Sequence, residues 1–222
     1  LRTLEDLKLI GGASANSMDA SAFSGQVILW GSGGDDTMSG GPGADRLNGG
    51  PGNDEIFGND GADTVFGGSG DDILDGGDGA DILYGQRDND SLTGGEDDDL
   101  VLGDDGDDTV KGNGGDDVLY GGKGADAMQG HAGDDTMNGN SGRDTMLGSI
   151  GNDSLLGGND HDLIFGEDGD DWIKGQAGFD LLAGGTGSDK GVDYAVEAMG
   201  NQADDIDESF EFFDDWVDEV TI

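Results

Sequence analysis

The sequence predicts an all-β solenoid of about nine 18-residue coils, each made of two tight turns and two short strands. Three observations predict it. From Gly31 to Val192 the chain falls into eighteen consecutive nine-residue blocks without an insertion or deletion. Gly holds position one and Asp holds position six of every block. Position eight is Met, Leu, Ile or Val in the first seventeen blocks, from Met38 to Leu182, and fails only at Gly191.

Each position has a physical task. The blocks open GSGGDDTMS, GGPGADRLN and GGPGNDEIF and close with GGTGSDKGV at 184–192. Gly at positions one and four permits positive φ, which lets the chain turn tightly and expose carbonyl oxygens on one side. Position four is Gly in fifteen blocks; the others carry Asp88, Asp97 and Asp160, and Asp tolerates the left-handed region. Positions seven to nine are expected to form a three-residue strand pointing outward, inward and outward. Two blocks then close one coil, and stacked coils form two parallel sheets around a row of small apolar side chains.

Composition alone would favour an acidic disordered chain, with 48 Gly and a net charge of −42. Phase kept over 162 residues overturns that reading. Nine basic residues against 51 acidic ones also exclude a nucleic-acid or anionic-membrane surface. There is no Cys, hence no disulfide scaffold or thiolate metal site. No apolar run approaches the ~20 residues of a membrane span. The chain opens at Leu1 with no signal-like segment, which reads as a piece of something larger.

The pattern G-G-x-G-x-D-x-U-x closely resembles the hemolysin-type calcium-binding repeats of RTX proteins, over residues 31–192. The resemblance implies a right-handed parallel β-roll with Ca²⁺ between successive turns on each edge. The family's ion is held by turn carbonyls and by position-six Asp residues of two stacked blocks. It further implies export from bacteria in the unfolded state and folding outside, where calcium is plentiful.

The charge argues for the same ion. A core of one small side chain per block is weak against the cost of ordering a Gly-rich backbone, and carboxylates stacked about 4.8 Å apart repel. A hard dication with oxygen ligands answers both deficits. Ca²⁺ takes six to eight oxygens in flexible geometry, whereas Mg²⁺ holds its waters, and Zn²⁺ would want His or Cys. Stacking pairs block n with block n+2. One edge then carries Asp36, Asp54, Asp72, Asp90, Asp108, Asp126, Asp144, Asp162 and Asp180. The other carries Asp45, Asp63, Asp81, Asp99, Asp117, Asp135, Asp153, Asp171 and Asp189. Up to about sixteen ions could be held, taking the charge from −42 to about −10. An EF-hand is rejected, because no window matches its acidic spacing.

The flanks leave the pattern. Residues 1–30 read as short apolar strands, LEDLKLIGG and QVILWG, forming one or two capping coils. Residues 193–222 place Phe210, Phe212, Phe213, Trp216, Val217 and Val220 among eleven acidic residues, as a C-terminal cap or part of an export signal. Outward positions are mostly polar, with one exception. Ile82, Leu100 and Val118 stack beside Phe66, Tyr84, Leu102 and Tyr120 at 18-residue spacing. That strip reads either as ordinary β propensity or as a docking face for a partner domain, a second copy or the C-terminal segment.

No catalytic constellation is visible. His131 and His161 read as solvated turn residues, and no base accompanies any Ser. A repeating lattice gives every Asp nearly the same surroundings, whereas acid–base catalysis needs two pKa values pushed apart. Three functions remain: a secreted calcium-dependent folding and secretion module, a calcium-stiffened adhesive spacer, and an accessory domain of a secreted protease, lipase or epimerase. None places an active site within these residues.

Overall fold

A computed structural model describes residues 6–192. Every element in that range is a β-strand, and none is a helix that could cross a membrane. The strands are β1 (Asp6–Ile10), β2 (Ser17–Asp19), β3 (Gln26–Trp30) and β4 (Thr37–Ser39), then sixteen six-residue strands from β5 (Arg46–Pro51) to β20 (Leu181–Thr186), and β21 (Lys190–Val192). Odd-numbered strands build an 11-stranded sheet and even-numbered strands a 10-stranded one, and among the described residues alternate strands pair in parallel. The result is a parallel solenoid of about ten coils. Residues 6–30 extend both sheets: β1 pairs with β3, and β2 with β4.

Register follows the 18-residue coil. Arg46, Leu47 and Asn48 face Thr64, Val65 and Phe66, and Leu100, Val101 and Leu102 face Val118, Leu119 and Tyr120. Position eight points inward throughout, and Leu47, Val65, Leu83, Val101 and Leu119 have no exposed surface in one sheet. In the other sheet Met38, Ile56, Leu92, Val110 and Met146 are likewise fully enclosed. The core is therefore one side chain wide from each sheet, and it continues into Val27 and Leu29 of β3.

Two expectations need correction. The strands are six residues long, not three, because positions two and three of the next block also pair, as Gly50 and Pro51 do with Gly68 and Ser69. Positive φ falls on positions two and four rather than one and four, with Gly41, Gly43 and Gly106 as exceptions. Position two is left-handed even where it is not Gly, as at Gln86 (φ 84°), Asn113 (φ 82°) and Glu167 (φ 76°). Position four behaves as expected, and Asp88, Asp97 and Asp160 take φ of 71°, 75° and 78°. Position one is Gly for want of space. A Cβ on Gly103 would lie 2.6 Å from the Gly121 carbonyl oxygen and against the Asp108 carboxylate. The expected C-terminal cap lies outside the described residues.

Candidate metal centre

Each position-six Asp ends its turn just before a strand, two residues after the left-handed position four. Sixteen of the eighteen are buried, from Asp36 to Asp171, each at most 3 % exposed. Their Oδ1 atoms all have a partner. The N–H of Asp36 donates to Asp54 Oδ1 at 2.7 Å, that of Asp90 to Asp108 Oδ1 at 2.8 Å, and that of Asp99 to Asp117 Oδ1 at 2.8 Å. The ladder runs on to Asp189, which accepts from Asp171. At the start of each edge Asn16 and Val27 supply the N–H for Asp36 and Asp45. Every coil thus uses one carboxylate oxygen to satisfy the coil before it.

The second oxygen is different. In sixteen of the eighteen position-six residues, Asp180 among them, Oδ2 is buried and has no hydrogen-bond partner; the exceptions are Asp189 and Asp45, whose Oδ2 accepts from Gly41 N–H. Each such Oδ2 sits in the space a Cβ would fill at position one of its own block, and in most coils the position-one carbonyl of the next coil borders that space. Asp90 Oδ2 and the Gly103 carbonyl both border Gly85 in this way. Position-four carbonyls point along the stack at the next coil's position four, as Gly61 does toward Gly79. Among the described residues they accept no hydrogen bond. A buried, unpartnered carboxylate oxygen is costly, and its repetition along both edges is the chemistry of a hard cation. No three acidic or imidazole side chains converge among the described residues. An ion here would therefore take at most two carboxylates and draw the rest of its shell from backbone carbonyls.

Burial drives these carboxyls toward the protonated form, with stacked neighbouring carboxylates adding to the shift. Asp90 and Asp99 are pushed up to about 8. Asp63, Asp72, Asp126, Asp135 and Asp153 rise to about 7. Asp81, Asp108, Asp117, Asp144 and Asp162 rise to about 6. The ordinary value is 3.8, so the metal-free roll binds more protons than the unfolded chain. Its stabilisation is complete below about pH 4 and is lost as pH rises through 6 to 8. In chelator, the β signal in circular dichroism is expected to grow as pH falls from 8 toward 5, with sedimentation confirming a monomer. A metal-free chain equally unstructured across that range would contradict the buried-carboxylate geometry.

The structure adds a second ladder that the sequence reading missed. Position five is Asp or Asn in ten blocks, and each accepts at Oδ1 from the position-five N–H of the following coil, as Asp71 does from Asn89 and Asp116 from Asp134. The inner ladder reaches backward and the outer one forward. The signal was present as Asx recurring every 18 residues at Asp35, Asn53, Asp71, Asn89 and Asp107. His161 occupies this position and accepts at Nδ1 from Phe179 N–H at 2.7 Å; it is a rung of the ladder rather than only a solvated turn residue. His131 sits at position two with φ 78°.

Parallel coils with a row of enclosed, unpartnered carboxylate oxygens on each edge define a β-roll of the cation-dependent kind. The chain belongs to the family of the RTX calcium-binding nonapeptide repeat (4 copies), whose model matches overlapping stretches from residue 28 to residue 190. The repeats bind Ca²⁺ in a β-roll. No curated protein matches the sequence.

Proposed function

We propose that the eighteen position-six aspartates, with turn carbonyls, hold rows of Ca²⁺ ions between successive coils, up to about sixteen in all, and that the chain folds only when they are filled. The observation that carries this is the repeated buried Oδ2 without a partner, in sixteen residues. A dication between coils supplies the missing partner and cancels stacked charge in one step. Folding is then set by ambient calcium. A chain in low calcium stays extended and can be exported, and one outside the cell orders itself. On this reading the module is secreted, carries no catalysis of its own, and stabilises a larger exported protein.

A single substitution tests the ligand role. Asp108→Asn keeps the Oδ1 acceptor for Asp90 N–H but replaces the unpartnered oxygen Asp108 Oδ2. Calorimetric titration is expected to find about one or two fewer ions and a higher calcium midpoint. Unchanged stoichiometry would remove Asp108 from the ligand set.

A further inference from the structure

We infer that the outer face of the 11-stranded sheet is covered, in the calcium-loaded chain, by the acidic aromatic segment 204–219 of the same chain. The two outer faces differ sharply in charge. Strands of the 11-stranded sheet carry Lys8, Arg46, Arg87, Lys123, Lys174 and Lys190, six of the nine basic residues in the chain, against three acidic ones, Asp6, Asp104 and Asp105. Strands of the 10-stranded sheet carry Lys111 alone against eight acidic residues. In a protein of net charge −42, one face thus collects most of the cations.

The same face holds the apolar strip. It lies across β7 (Thr64–Ser69), β9 (Ile82–Arg87), β11 (Leu100–Asp105) and β13 (Val118–Lys123). Register places Leu100 between Ile82 and Val118, and Leu102 between Tyr84 and Tyr120. Phe66 stacks on Tyr84 with ring centroids 4.9 Å apart and planes 4° from parallel, and the Arg46 guanidinium lies 4.6 Å from the Phe66 centroid. Arg46 caps one end of the strip, while Arg87 and Lys123 sit on β9 and β13 themselves, Lys123 paired with Asp105 at 2.6 Å. An apolar strip within a basic frame suits a ligand of aromatic side chains interleaved with carboxylates.

Residues 204–219 have that composition: Phe210, Phe212, Phe213 and Trp216 among nine acidic residues, with no Lys or Arg. The chain also leaves the roll in the right place. Val192 ends β21, the last strand of this sheet and five strands from β11, a distance of about 24 Å at ladder spacing. Seventeen residues separate Val192 from Phe210, enough to span about 60 Å when extended. The occupant is therefore tethered at high effective concentration.

Hydroxyl-radical footprinting of the full chain in saturating calcium tests this. Tyr84, Leu102 and Tyr120 are expected to oxidise several-fold faster when Phe210, Phe212, Phe213 and Trp216 are all changed to Ser. Calcium stoichiometry and monomeric mass should stay the same. A second variant, Arg46→Glu with Arg87→Glu and Lys123→Glu, is expected to expose the strip to the same extent. Oxidation rates unmoved by both variants would overturn the inference. So would protection that rises with protein concentration together with a dimer mass, since a second copy would then be the cover.

Discussion

Chelating calcium at neutral pH is expected to abolish the β-sheet circular dichroism of the chain and expand its hydrodynamic radius toward that of an unfolded polypeptide. Readdition should restore both in one cooperative step, with a midpoint of roughly 0.1–1 mM, the range of extracellular calcium modules. The reason is local and repeated. Each coil encloses a carboxylate oxygen with no partner, and burial already holds Asp90 and Asp99 near a pKa of about 8. At pH 7 a closed roll must either hold protons or hold metal on these groups. The core cannot carry the load unaided, being one small side chain deep from each sheet. Because every coil satisfies its neighbour through the aspartate ladder, losing ions at one level weakens adjacent levels, and the transition is sharp. A β signal that survived chelation at pH 7 would show that packing and ladder hydrogen bonds suffice.

Gly103→Ala is expected to damage the roll strongly, although it adds only one methyl group. Its Cβ would lie 2.6 Å from the Gly121 carbonyl oxygen and against Asp108 Oδ2. Neither neighbour can retreat. The carbonyl belongs to the stacked backbone, and the carboxylate is held by Asp90 N–H through its other oxygen. Overpacking against fixed backbone costs on the order of 3 kcal/mol, and here it also intrudes on the space bordered by the unpartnered oxygen. The expected result is a higher calcium midpoint and a lower melting temperature. Gly33→Ala is the control, because at position three its nearest heavy atom is the Pro51 carbonyl oxygen at 3.5 Å, an ordinary contact. Equal effects from the two substitutions would contradict the assignment of position one to steric need.

The comparison of these two glycines shows how far the sequence could be read. Periodicity revealed the coil, the inward row from Met38 to Leu182, and the two edges of aspartates, since these depend only on which residues recur. It could not distinguish two reasons for an invariant Gly. At position one the reason is a neighbouring carbonyl on the next coil, a contact 18 residues away that no local pattern displays. At position two the left-handed backbone is occupied by Ser32, Gln86, His131 and Glu167, so a composition rule for positive φ passes over it. The outer ladder was hidden for a similar reason: Asp35, Asn53 and Asp71 look like ordinary turn fillers until stacking aligns each with the next N–H. The unequal functions of Oδ1 and Oδ2 are likewise invisible in the letter D.

Anomalous scattering from crystals grown in calcium examines the central idea most directly. Two columns of Ca²⁺ peaks are expected, one along each turn edge, spaced about 4.8 Å apart, each within about 2.3–2.6 Å of a position-six Oδ2 and of turn carbonyls. A folded roll whose calcium lay elsewhere, or whose edges held none, would contradict it.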